Sequence, residues 1–315
     1  MKVILLLASL AFHLYASAQI FVYHRFGDDR YPSTNTTIKQ LKYQFDYLKE
    51  HNYKVVPLQN IVDKIYKKEK IPDNWVALTI DDSFKSFLQN GLKVFKQYNY
   101  PFTMFVYIKA AQDNYNDFLN WDELREVAKH GDLQLHSFGH LHMTKENINS
   151  VLKDTEESYK LFVKELGSNP TMYAYPYGEY NEEVKNALTS FNFKAIFNQN
   201  NGSVTHNSNP LDINRIALVG DVNMKEKLKY ETLDVNWIEP KSYPKNGILK
   251  KVKAKVDPSI KNAKLYVSGD KWRDIKVNNG IIDANLNIKL KNGRSRVIIG
   301  TDFYTISNKL LIKHK

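Results

Sequence analysis

From Gln19 to about Leu218 the chain alternates short apolar runs with amphipathic stretches of helical period. Ile20-Phe21-Val22-Tyr23 reads as a first strand ending at His24. Residues 37–51 read as a helix with Ile38, Leu41, Phe45 and Leu48 on one face, and Thr37 and Gln40 are spaced for a capping box. A strand at Val55-Val56, a helix near 58–68, a strand over 75–80, a helix near 84–98 and a strand from Phe102 to Tyr107 continue the series. A helix near 121–130 stops at Gly131, and the apolar run Leu133-Gln134-Leu135 follows. A long polar helix near 147–166, a strand over 172–175, a helix near 180–190, a strand near 193–197 and a last strand within 213–219 complete it. This alternation predicts an α/β domain: a parallel sheet, open or closed into a barrel, with helices outside. In such architectures active sites form at the C-terminal strand ends.

The strand ends here carry reactive side chains. The run Trp75 to Ile80 delivers Asp81-Asp82-Ser83, and Leu133 to Leu135 delivers His136-Ser137-Phe138-Gly139-His140. The strand over 172–175 delivers Pro176-Tyr177. One carboxylate and two imidazoles can hold a divalent metal with a position left open for water. The second carboxylate is then free to take a proton from that water. His142 rivals His140 as a ligand, though the spacing from His136 favours His140. A zinc-protease His-Glu-x-x-His is absent, because position 137 is Ser. No Ser-centred nucleophile elbow and no phosphate-binding Gly loop is present.

From about residue 230 the pattern changes to short alternating runs separated by Gly, Asn, Asp and Pro. Leu265-Tyr266-Val267, Ile281-Ile282, Leu286 to Leu290, Arg296 to Ile299 and Leu310 to Ile312 predict a small all-β sandwich over 230–315. The boundary falls within 222–245, which leaves 19–225 as the α/β domain. Charge divides at the same place. Residues 241–315 hold 18 Lys and Arg against 5 Asp and no Glu, so they carry +13 of the chain's +11, and the remainder carries −2. The β-domain is expected to localise the protein on an anionic cell-surface polymer rather than take part in chemistry. Nucleic acid is not expected as a partner of an exported chain.

Export is expected from the N-terminus: Lys2, an apolar core from Val3 to Phe12 and the small-x-small site Ala16-Ser17-Ala18 predict a signal peptide over 1–18. That core is too short to span a bilayer, and no other segment approaches spanning length. With no cysteine, disulfides, thiolate metal sites and Cys nucleophiles are excluded. A periplasmic or extracellular location is the expectation.

Taken together, these motifs resemble the polysaccharide deacetylases of carbohydrate esterase family 4. The family pattern runs Thr-Phe-Asp-Asp-Gly, His-Ser/Thr-x-x-His and Arg-x-x-Pro-Tyr/Phe. It is matched here by Thr79–Ser83, His136–His140 and Tyr173–Tyr177, within a resemblance covering roughly 19–220. The resemblance implies a distorted (β/α) barrel with Asp81 as general base and Asp82, His136 and His140 as ligands of a divalent metal, most simply Zn2+. It further implies that the backbone N–H of Tyr177 helps hold the oxyanion.

The chain departs from the family at four points. Ser83 replaces Gly, a mild change if that position has ordinary φ, and Ile80 replaces Phe. Tyr173 stands where the family's base-orienting Arg belongs, and Arg215, near the last barrel strand, is the candidate substitute. The family's proton-donating His, from a late Leu-x-His motif, has no counterpart. Downstream of Pro176 only His206 and His314 occur. Val22-Tyr23-His24 has the right spacing at the end of the first strand, which a closed barrel sets beside the last. This permuted arrangement resembles the deacetylases of poly-N-acetylglucosamine. His24 is therefore the expected general acid, with His206 the alternative.

The expected function is metal-dependent removal of N-acetyl groups from an N-acetylhexosamine polysaccharide. The same site would also suit an O-acetyl esterase, and a silent glycan-binding protein is the reading outside enzymes.

Overall fold

The computed structural model describes residues 17–313. The expected signal peptide lies outside these residues apart from Ser17 and Ala18, and so does His314. The chain begins with β1 (Gln19–Tyr23), two short strands β2 (Arg25–Phe26) and β3 (Asn35–Thr36), helix α1 (Ile38–Glu50), β4 (Lys54–Val55), α2 (Leu58–Lys67) and β5 (Trp75–Ile80). Next come α3 (Leu92–Tyr98), β6 (Thr103–Val106), α4 (Ile108–Gln112), α5 (Trp121–Ala128), β7 (Asp132–Leu135) and α6 (Ile148–Leu166). The first unit ends with β8 (Met172–Ala174), α7 (Glu182–Leu188), β9 (Ala195–Phe197), β10 (Ile216–Ala217) and α8 (Met224–Lys227).

Strands β10-β1-β5-β6-β7-β8-β9 form one parallel sheet, with β4 also on β5. The strand expected over 213–219 is shared between two neighbours. Ile213 pairs with Phe197 of β9, and the Leu218 N–H donates to the Val22 carbonyl beside β1. This short segment closes the sheet into a distorted barrel and leaves neither edge bare.

The period-2 alternation sorts the barrel side chains. Phe21, Tyr23, Val76, Leu78, Ile80, Met104, Val106, Leu133 and Leu135 pack outward in one core with the apolar faces of α1, α3, α5, α6 and α7. Ile20, Ala77, Phe105, Ala174, Ala195, Phe197 and Ile213 pack on the opposite, inner side with α2. Three of these inner residues are alanines.

Two local expectations change. Thr37 caps α1 by accepting from the Gln40 N–H, but the Gln40 side chain donates to the Val222 carbonyl at 2.7 Å instead of closing a capping box. The helix expected over 84–98 opens with a widened turn, Phe87–Gly91, before α3.

The C-terminal part consists of β11 (Glu231–Thr232), β12 (Asn236–Glu239), β13 (Ile248–Lys255), β14 (Asn262–Val267), β15 (Arg273–Lys276), β16 (Ile281–Lys289), β17 (Arg294–Gly300) and β18 (Thr305–Ile312). The sheets β11-β18-β17-β14-β15 and β12-β13-β16 enclose one core, which includes Leu249, Val252, Leu265, Val267, Ile282, Val297 and Ile299. A bulge between Leu249 and Lys251 breaks the alternation of β13. Glu231 ties the two parts together, accepting from Ser203 Oγ at 2.6 Å. No helix among the described residues is long and apolar enough to cross a membrane.

Candidate active site

The parity that puts alanines inside the barrel also turns His24, Asp81, His136 and Arg215 inward. Backbone pairing continues one step past the strands and aligns their ends. The Asp81 N–H donates to the Tyr23 carbonyl at 2.9 Å, and the His136 N–H donates to the Val106 carbonyl at 3.0 Å. His24 and Asp81 thus leave neighbouring strands at the same level.

Asp81 and Arg215 are both fully buried. The two terminal guanidinium nitrogens each lie 2.7 Å from one Asp81 oxygen, a bidentate fork. Nε of Arg215 donates to the Asn198 carbonyl at 3.0 Å, and its guanidinium faces the rings of Phe105 and Phe197. Gln199 Nε2 adds a longer bond to Asp81 Oδ2 at 3.3 Å. Burial pushes the Asp81 pKa up, but Arg215 and then His136 oppose it, and the group sits below the usual carboxylate range. Asp81 is therefore ionised and held in one orientation. Tyr173, at the position of the family's Arg, is buried on the outer face with its hydroxyl near Met143 Sδ.

Asp82, His136 and His140 form a second group, with one ligand atom from each residue within 4.8 Å of the others. Asp82 Oδ1 lies 3.0 Å from His140 Nε2 and 3.4 Å from His136 Nε2. The His136 ring is fixed from behind by Nδ1, which donates to the Ala174 carbonyl at 2.8 Å, so Nε2 faces the group as a lone-pair donor. Burial favours neutral Asp82, but the two imidazoles outweigh it and hold the carboxyl well below its ordinary range. The donor types and their convergence fit a divalent cation.

The two imidazoles owe their spacing to a residue that sequence reasoning missed. Asp154, buried on α6, accepts from the Phe138 N–H at 2.9 Å and the Gly139 N–H at 2.7 Å. It pins the turn between the histidines from a helix in which no local signal distinguishes it. Within the three motifs Asp82, Ser83, Ser137, His140 and Tyr177 hold positive φ between +50° and +69°. This is the left-handed region, disfavoured for L-residues. Ser83 therefore lacks the ordinary φ that would make its replacement of Gly mild.

His24 comes to the same place. Its register sets it opposite Asp81, and burial lowers its pKa against the opposing effect of Asp82 and then Asp81. Its Nδ1 is buried without a hydrogen-bond partner. His206 lies elsewhere. Its neighbour Val204 pairs with Ala18 at the start of β1, at the far end of that strand from His24. Tyr177 closes one side, its ring 4.4 Å from that of His140 and stacked at 4.1 Å on His142. His142 Nδ1 donates to Glu179 Oε2 at 2.8 Å, and the residue stands outside the ligand group.

Comparison with known proteins agrees with this geometry. Residues 68–196 match the family model for polysaccharide deacetylase. The poly-beta-1,6-N-acetyl-D-glucosamine N-deacetylase of Staphylococcus aureus is 26% identical over 215 residues, which is 64% of this chain and 73% of that protein. Two solved structures share the fold. The Streptococcus pyogenes deacetylase PplD, in complex with acetate, has a TM-score of 0.61 at 19% identity, over 66% of this chain and 95% of its own. IcaB from Ammonifex degensii has a TM-score of 0.57 at 20% identity, over 65% of this chain and 93% of its own. Residues 68–196 carry the match to the polysaccharide deacetylase family, and the sheet around them shares the fold of these structures.

Proposed function

We propose that this chain is an exported, metal-dependent N-deacetylase of an N-acetylhexosamine polysaccharide, with poly-β-1,6-N-acetylglucosamine as the first substrate to test. The observation that carries this reading is one inward-facing cluster in which an Arg-held carboxylate, an Asp-His-His group and an unpartnered imidazole meet at the barrel mouth. The Staphylococcus aureus relative points to the polymer.

Asp82, His136 and His140 would hold the cation, and zinc suits one carboxylate and two imidazoles. When bound, it would supply Lewis acidity to the acetamide carbonyl and a lowered pKa to the attacking water. Asp81, ionised and oriented by Arg215, accepts the proton of that water. The Tyr177 N–H donates to the developing oxyanion, a contribution of about 3–4 kcal/mol for donors of this kind. His24 donates a proton to the leaving nitrogen. Its lowered pKa makes the protonated form a stronger acid at the cost of its population.

The test is acetate release across poly-N-acetylglucosamine, chitin oligomers and peptidoglycan, with zinc content measured on the same protein. Release from the first substrate, lost on chelation and restored by zinc, is expected. Activity confined to O-acetylated glycans would overturn the amide reading.

A further inference from the structure

We infer that the C-terminal β-domain sets active-site geometry through Arg294 and Arg296, which act as positioning residues for the loops that carry Tyr177 and Gln199. This rests on the function proposed above for Tyr177 and Asp81.

Both arginines lie on β17, two residues apart, so they share the face turned away from the sandwich core, while Val297 and Ile299 fill that core. Nη2 of Arg294 donates to the Tyr177 carbonyl at 2.7 Å, and its Nε lies 3.5 Å from Glu179 Oε1. Glu179 is nearly fully buried, and its other oxygen holds His142, whose ring stacks on Tyr177. Arg294 therefore fixes the peptide that follows the proposed oxyanion donor and the carboxylate that seats the Tyr177 ring. Nη2 of Arg296 donates to the Gln199 carbonyl at 3.0 Å, and the Gln199 side chain reaches Asp81.

These two anchor points touch each other. Gly178 has φ +64°, and a Cβ there would stand 2.7 Å from the Gln199 backbone nitrogen. The loop with the oxyanion donor and the loop beside the base are packed without a gap, and adjacent arginines of one strand hold each. The arrangement is costly on its own terms. Arg296 is largely desolvated beside a like charge, and its Nε is buried without a partner. A purely localising domain, as the +13 charge alone suggests, would leave these contacts without a task. The connection is also no loose tether, because β11 pairs with β18 and Thr232 bonds to Ser203 across the seam.

The test uses the full chain with zinc on a soluble N-acetylglucosamine oligomer, so that polymer capture plays no part. Arg294→Ala and Arg296→Met are expected to lower kcat about tenfold to a hundredfold, as small misplacements of catalytic groups do. KM, zinc content and Tm should stay near the wild-type values. Arg294→Lys should recover part of the loss, since an ammonium still donates to the Tyr177 carbonyl. In zinc-free protein the backbone of 176–180 and 198–200 should exchange hydrogen faster in the Ala and Met variants. Unchanged kcat with unchanged exchange would overturn the inference, as would a loss seen only on polymer. Arg294 is two-fifths exposed at its side chain, so its variants decide the matter even if Arg296→Met does not fold. A wild-type chain that releases no acetate would sink the proposed function, while the exchange data would still decide the positioning.

Discussion

Arg215 holds both oxygens of Asp81 at 2.7 Å across the inside of the barrel, from the segment that closes it to the end of β5. The two residues are 134 positions apart in the chain, and neither touches solvent. Removing the guanidinium leaves a buried, unpaired carboxylate, which typically costs about 3–5 kcal/mol. Arg215→Met should lose stability on that scale by urea denaturation. Arg215→Lys should keep more stability yet lose turnover, because an ammonium cannot reproduce the fork. Wild-type turnover in Arg215→Lys would show that orientation of Asp81 does not matter.

The same pair shapes the acid limb of stability. Its folded-state pKa is lowered, so Asp81 contributes stability above its unfolded value, near 4, and that contribution is lost as the pH falls through the lower folded value. Asp82 adds to the same limb for the same reason. Chelated protein should therefore hold its urea midpoint down to about pH 4 and lose it below. The double variant Asp81→Asn/Arg215→Met should show a flatter acid limb. An identical limb in the double variant would mean that the buried pair contributes nothing there.

Metal binding separates the two adjacent aspartates. Asp82→Ala should abolish zinc binding in a chelator-competition titration, whereas Asp81→Asn should keep zinc and lose acetate release. Asp154→Asn puts an amide NH2 where two backbone N–H groups need acceptors, and it should weaken zinc about tenfold or more, as loss of supporting contacts around metal ligands does. Full zinc affinity in that variant would remove Asp154 from the account.

His24→Ala should retain zinc and lose rate by about 10²–10⁴-fold, the usual contribution of a positioned acid. The loss should shrink for aryl acetates, whose leaving groups need little protonation. An equal loss on both substrates would assign His24 a packing role.

Ser83 holds φ +58° with its hydroxyl on the Asp82 carbonyl. Ser83→Gly should raise stability by about 1 kcal/mol, since Gly carries no Cβ penalty there. A lower Tm would show that the hydroxyl contact outweighs the backbone strain.

The parallel sheet, the helices around it and the strand ends that carry Asp81, Asp82, His136, His140 and His24 were legible in the sequence. Period-2 and period-3.6 patterns are local, and in this fold a strand's C-terminal end is a location in space. The β-character of the C-terminal part was legible for the same reason, except where the β13 bulge shifts the alternation by one. What the sequence could not decide depends on contacts between distant segments. Arg215 was a candidate by its place near the last strand, but only closure of the barrel brings both its terminal nitrogens to Asp81. His206 stood as the alternative to His24, and the pairing of Ala18 with Val204 places its segment at the opposite end of β1. Asp154, Gln199, Arg294 and Arg296 carry no motif, because each acts through a backbone group or side chain supplied by another part of the chain. Residue type and spacing determined which chemistry the protein could hold; tertiary packing decided which groups orient it, because long-range hydrogen bonds leave no periodic trace in sequence.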